Sequence, residues 1–92
     1  MTDPRASASI SPATLEKVRA FVHRRFPVAV SAGVTDEESL LDAGIIDSLG
    51  ILDVVAFLEE TFGITVGDEE LTPEHFDSIA SVTRFVASKR GA

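Results

Sequence analysis

Asp47 and Ser48 stand side by side in the stretch GIIDSLGIL, Gly44 to Leu52, between two isoleucines and a leucine. A hydroxyl beside a carboxylate can attack a substrate, help to hold a metal, or carry an attached group. As a nucleophile, Ser48 would need a histidine within hydrogen-bond reach and a third group to orient that histidine. The chain has only His23 and His75. His23 lies between Val22 and Arg24 in a helical stretch and His75 lies in the short TPEHF turn, so both read as surface residues. No strand leads into a G-x-S-x-G elbow, and a hydrolase is a poor fit.

Metal and phosphate-loop chemistry fare no better. Glu59 and Glu60 are adjacent and face different directions on a helix. The Asp-Glu-Glu triplets at 36–38 and 68–70 lack the alternating oxygen ligands and central glycine of a calcium loop, and both read as solvated surface. The six glycines are scattered singly at helix ends and turns rather than gathered in a phosphate-binding loop. No cysteine is present, which excludes disulfides, zinc-thiolate sites and a cysteine nucleophile. Any thiol chemistry would have to arrive on an attached group.

Asp47 and Ser48 lie at the start of a helix, where free backbone N–H groups and the helix dipole favour a negative group such as a phosphate. Capping alone also accounts for the pair, because Ser and Asp are both common N-caps. If Asp47 is the cap, however, Ser48 becomes the first helical residue and its hydroxyl points outward, unused by the cap.

The elements that must position this pair are helices. Residues 1–10 are rich in Ser, Ala and Pro without periodicity and read as a mobile arm, with a single domain over 11–90. Ser11 can cap and Pro12 suits a first helical position; Leu15, Val18, Val22 and Phe26 follow at helical spacing, with Phe21 beside them and Pro27 as the stop. PVAVSAGV has strand-forming residues but no second alternating run to pair with, so it reads as loop. TDEESLLDAG reads as one helical turn, capped by Thr35 and stopped by Gly44. From Ser48 to Phe62 a core-facing stripe recurs at Ile51, Val54, Val55, Leu58 and Phe62. The opposite face carries Leu49, Asp53, Ala56 and Glu60, flanked by Leu52 and Glu59: exposed apolar side chains ringed by acids, as on a docking surface. Gly63 ends that helix, and ITV reads as an anchor beneath the acidic loop GDEEL. Thr72 and Pro73 can begin a brief turn through Phe76. Asp77 or Ser78 then caps a last helix with Ile79, Val82, Phe85 and Val86 inward and Lys89 and Arg90 at its favourable end. The predicted fold is all-α: a small four-helix bundle of three main helices and one or two short ones, with a long loop after the first.

Length and charge bound the function. Ninety-two residues make one domain, which buries about 60 to 65% of the surface its unfolded chain exposes. No apolar run reaches the roughly 20 residues of a membrane helix, and the polar opening lacks the apolar segment of a secretory signal. A cytoplasmic protein without membrane insertion is expected, and a monomer, given its acidity. Residues 36–77 hold thirteen acidic and no basic residues, against five basic and two acidic in 1–35 and three basic in 78–92. So one-sided a stretch repels nucleic acid and suits a basic partner surface.

Leu40 to Ile64, LLDAGIIDSLGILDVVAFLEETFGI, resembles the prosthetic-group segment of the acyl carrier and peptidyl carrier protein family. The Asp-Ser-Leu signature falls on Asp47, Ser48 and Leu49, after Ile45-Ile46 and before an acidic helix ending in Glu-Glu-x-Phe-Gly. The likeness extends more weakly from Leu15 to Val86. The resemblance implies a four-helix fold in which Ser48 bears 4′-phosphopantetheine from coenzyme A, added by a magnesium-dependent phosphopantetheinyl transferase, with Asp47 and Leu49 completing the attachment signature. Asp47 would position the metal during modification or act as a plain cap. The terminal thiol would carry acyl groups as thioesters, making the chain a carrier rather than an enzyme. Leu49, Leu52, Asp53, Ala56, Glu59 and Glu60 would form the face that meets the transferase, an ATP-dependent acyl or amino acid ligase, and downstream acyl-using enzymes.

Two details bear on the cargo. Gly50 stands where fatty-acid carriers usually have an acid, and Ile45-Ile46 stand where peptide synthetase domains have two glycines. In this the chain looks most like stand-alone aminoacyl or D-alanyl carrier proteins. The alternative is an unmodified acidic interaction module with a degenerate carrier fold.

Overall fold

The computed structural model describes residues 12–90, so the expected arm over 1–10 and the expected cap at Ser11 lie outside the described residues. The fold is all-α. Helix α1 spans Pro12–Arg25, α2 Val28–Ser31, α3 Ser48–Phe62, α4 Pro73–Phe76 and α5 Ile79–Lys89, with a 3-10 turn at Asp68–Glu70. The three long helices and the long connection before α3 follow the sequence expectation.

The core is built from one stripe of each long helix. Val18 and Val22 of α1, Val54 and Leu58 of α3, and Ile79, Val82, Phe85 and Val86 of α5 are buried together with Phe76 of α4. Ile51, Val55 and Phe62 pack against this core half-buried, as do Ile64 and Val66 of the predicted anchor. Phe76 and Phe85 meet at 5.2 Å between ring centres, which clamps α4 onto α5. Ser78 caps α5, its hydroxyl accepting from the Ser81 amide at 3.0 Å. Gly63 ends α3 in the left-handed conformation at φ 67°, a backbone state that glycine adopts without strain.

Several expectations for the connections need correction. PVAVSAGV is not all loop: Val28–Ser31 forms the helical turn α2, because Pro27 suits a helix start and buried Ala29 anchors the turn in the core. Residues 35–44 form successive turns rather than one capped helical turn. Thr35 does not cap with its side chain; its amide donates to Glu38 Oε1 at 3.1 Å. Ser39 performs the local capping, its hydroxyl accepting from the Asp42 amide at 3.0 Å while donating to Asp77 Oδ1 at 2.6 Å. Gly44 closes these turns at φ 72°.

Four acids of the two triplets, Glu37, Glu38, Asp68 and Glu69, are exposed as expected, but Asp36 and Glu70 are half-buried. Arg19 forks onto Asp36, Nε to Oδ1 at 3.0 Å and Nη2 to Oδ2 at 2.6 Å. This hydrogen bonding holds the Asp36 carboxyl below its ordinary range and raises Arg19. Glu70 is lowered likewise by Lys89, whose ammonium donates to it at 2.8 Å. Arg84 Nη2 of α5 also donates to Glu37 Oε1 at 3.4 Å, so two acids of the first triplet and one of the second tie a loop to a long helix.

Two backbone bonds fasten the long loop to the start of α5: the Leu40 amide donates to the Asp77 carbonyl at 2.7 Å, and the Ala80 amide to the Asp36 carbonyl at 2.9 Å. Leu40 itself is buried, and the amides of Ile45 and Ile46 return to its carbonyl. The chain therefore enters α3 from a fixed direction. Among the described residues no helix is long and apolar enough to cross a membrane.

Candidate functional site

Asp47 is the N-cap of α3. It has extended backbone dihedrals, and its Oδ1 accepts from the Gly50 amide at 2.9 Å while its carbonyl accepts from the Ile51 amide at 2.9 Å. Capping is the role the geometry assigns it. Ser48 follows as the first helical residue, exposed, and its hydroxyl makes no hydrogen bond with any described residue. The Ser48 and Leu49 amides precede the first helical bonds and have no intrahelical acceptor. No other acid lies in the first turn. Here the positive end of α3 meets solvent beside a free hydroxyl.

Gly50 makes this arrangement possible. It is buried, and a Cβ there would lie 2.6 Å from Ile46 Cγ1 and 3.2 Å from the Phe26 ring. Ile46 immediately precedes the cap, so the contact seats the whole turn against the end of α1. Gly50 points inward, which explains why an acid at this place would not reach the outer face.

The predicted outer face of α3 forms as one surface. Leu49 is 73% exposed and Leu52 52%, both large apolar side chains, and Ala56 is exposed between them and the acids. The acids differ in their engagement. Asp53 Oδ2 accepts from Arg25 Nη2 at 2.6 Å, and Glu59 Oε2 accepts from the Val66 amide at 3.0 Å. Glu60 has no ion pair among the described residues.

Neither histidine joins Ser48. His75 is half-buried rather than on the surface, its ring 4.7 Å from that of Phe85 and its Nδ1 2.9 Å from the Glu70 carbonyl oxygen. His23 is half-buried too. Sequence periodicity missed Phe57, which stacks on Phe21 at 4.2 Å and joins α3 to α1. It also missed the basic bank of Arg24 and Arg25 beside the acidic face; two adjacent cations at a helix C-terminus were the available signal.

Comparison with known proteins decides the family. A model described as the phosphopantetheine attachment site matches residues 16–86. The chain belongs to this phosphopantetheine-binding family of carrier proteins. It is 31% identical over 64 residues to aminoacyl carrier protein 2 of Bradyrhizobium diazoefficiens, covering 70% of this chain and 71% of that one. It is also 31% identical over 61 residues to aminoacyl carrier protein 1 of the same organism, covering 66% of this chain and 67% of that one. The D-alanyl carrier protein of Streptococcus pyogenes is 34% identical over 50 residues, 54% of this chain and 63% of that protein. No solved structure gives a significant match.

The prosthetic group of this family is covalently attached 4′-phosphopantetheine. The start of α3 fits such a group on its own chemistry. An uncovered hydroxyl can form a phosphodiester, and the free amides and dipole of a 15-residue helix favour the phosphate charge. The one neighbouring carboxylate, Asp47, is already engaged as a cap.

Proposed function

We propose that Ser48 is the residue that bears 4′-phosphopantetheine, and that the protein is a stand-alone carrier of an aminoacyl or small acyl group presented to partner enzymes. The group's terminal thiol supplies the thioester chemistry that a cysteine-free chain lacks. One observation carries the reading: with Asp47 capping α3, the Ser48 hydroxyl is exposed and has no structural task. The names of the aminoacyl and D-alanyl relatives support the choice of cargo class.

The chain's own contributions are presentation and recognition. The Ser48 and Leu49 amides would hold the phosphate, and the close approach of Ile46 and Phe26 to Gly50 seats the helix start that bears the hydroxyl. Leu49, Leu52 and Ala56 offer apolar contact, while Glu59 and Glu60 set negative charge beside them and Asp53, matched by Arg25, can exchange that partner for a cation of the docking enzyme. Such a surface speeds encounter with basic partners and allows exchange between them more than it strengthens any single complex. A carrier must leave each partner to meet the next. The partners are a phosphopantetheinyl transferase, an ATP-dependent ligase that loads the cargo, and the enzymes that take it. The chemistry belongs to those partners, and the carrier works as a cytoplasmic monomer.

Coexpression with a broad-specificity phosphopantetheinyl transferase should raise the intact mass by one phosphopantetheine, and Ser48→Ala should remove the gain entirely. An unchanged wild-type mass in the presence of an active transferase would overturn the assignment.

A further inference from the structure

A groove of about 310 Å³ runs between α1 and α3, beside the outer face. Its floor is the Phe21–Phe57 stack, with the rings inclined by only 13°. Arg24 and Arg25 form one bank, and Asp53, Ala56 and Glu60 form the other. Arg25 and Asp53 neutralise each other across it at 2.6 Å. Two charges remain. Arg24 lies over the Phe21 ring at 5.9 Å with no carboxylate partner among the described residues, and Glu60 likewise has no cation. An aromatic floor between one free cation and one free anion does not suit a plain alkyl chain. It suits a small group that carries both an ammonium and a carbonyl acceptor.

We infer that this groove is the resting place of the aminoacyl end of the prosthetic arm, with the cargo ammonium directed to Glu60 and the arm's carbonyl oxygens to Arg24. The inference rests on attachment at Ser48. Reach is compatible with it: at a helical rise of about 1.5 Å per residue, Asp53 lies about 7.5 Å and Glu60 about 18 Å along the axis from Ser48. A phosphopantetheine chain laid along the helix spans that interval. Because the charges are exposed, the contact is weak and screened by salt, which makes the groove a resting place and not a trap. An aminoacyl group would be held and an acyl group of the same shape without the ammonium would not.

The test compares two loaded forms. Coenzyme A analogues ending in an alanyl or a propionyl amide, in place of the hydrolysable thioester, are transferred onto the protein, and intact mass establishes loading. NMR shifts are then read against the unloaded holo form. The alanyl form should move the Ala56, Phe57 and Glu60 amides and the Arg24 side-chain resonance, while the propionyl form leaves them at their holo positions. Glu60→Gln should abolish the difference, and raising ionic strength to about 1 M, where the screening length is about 3 Å, should shrink it. Equal shifts for the two cargoes, or a difference that survives Glu60→Gln, would overturn the groove. Failure of the mass to rise would instead overturn attachment at Ser48, and the groove with it.

Discussion

Helices α3 and α5 use their apolar residues in opposite ways. Of eleven residues in α5, six are buried: Ile79, Ala80, Val82, Thr83, Phe85 and Val86. Of fifteen in α3, only Gly50, Val54 and Leu58 are, while Leu49 and Leu52 lie largely in solvent. Even the one hydroxyl deep in α5, that of Thr83, is consumed locally, donating to the Ile79 carbonyl at 2.8 Å. The hydroxyl at the head of α3 is left free. Burial of apolar surface stabilises by about 25 cal/mol per Å², so two leucines left in water contribute little to folding this chain. Folding explains the composition of α5. It does not explain the outer face of α3, which makes sense only with something else against it.

The most severe way to probe this contrast is at Ser48. Ser48→Ala should eliminate modification while changing unfolding free energy by no more than about 0.5 kcal/mol, as for other exposed positions outside a structural feature. Mass spectrometry and denaturant unfolding check the two halves separately. A variant that lost stability along with modification would mean that the serine is part of the frame.

Truncation separates the two helices next. Ile79→Ala in α5 and Leu58→Ala on the inner side of α3 should each cost about 2–5 kcal/mol, as buried large-to-small changes do. Leu52→Ala, less than two turns from Leu58 but outward, should stay within about 0.5 kcal/mol and instead raise the transferase KM for the carrier several-fold. If Leu52→Ala unfolds the protein as readily as Leu58→Ala, the outer face is core and the contrast collapses. Between these lies Asp47→Ala, expected to cost about 1 kcal/mol through loss of the cap on the Gly50 amide. Thermal unfolding of the unmodified protein measures it without reference to any partner.

Periodicity made the long helices legible, because a stripe such as Val54, Leu58 and Phe62 reports its own inner face. The same count on α3 placed Leu49, Leu52 and Ala56 outward, as observed. The free Ser48 hydroxyl was legible for a related reason: two cap-forming residues in succession leave one without a capping task. What could not be read was set by contacts distant in sequence. The Arg19–Asp36 fork spans 17 residues and the Arg25–Asp53 pair 28, and neither has a local pattern. Without these partners, acid triplets and the acids of α3 look alike in sequence. Residues 28–31 were missed because four residues are too few to establish a period, and their helical turn is held by the buried Ala29 and by Pro27.

The smallest effect concerns how α5 holds the loop that leads to α3. Asp36 accepts from the Ala80 amide through its backbone carbonyl, and its carboxylate is held by Arg19. With its folded carboxyl lowered chiefly by that hydrogen bond, Asp36 contributes stability that is fully present above the unfolded value of about 3.9. That contribution is lost as pH falls through the lower folded value, because protonation removes the negative charge and one of the two acceptor oxygens onto which Arg19 forks. Partial exposure of the pair limits it to about 0.2–1 kcal/mol. Unfolding free energies measured from pH 6 down to pH 2.5 should therefore show a steeper acid decline in the wild type than in Asp36→Asn, with the two curves converging at the acid end. Parallel curves would show that the fork adds nothing, leaving the Leu40 and Ala80 backbone bonds to fix the entry to α3 unaided.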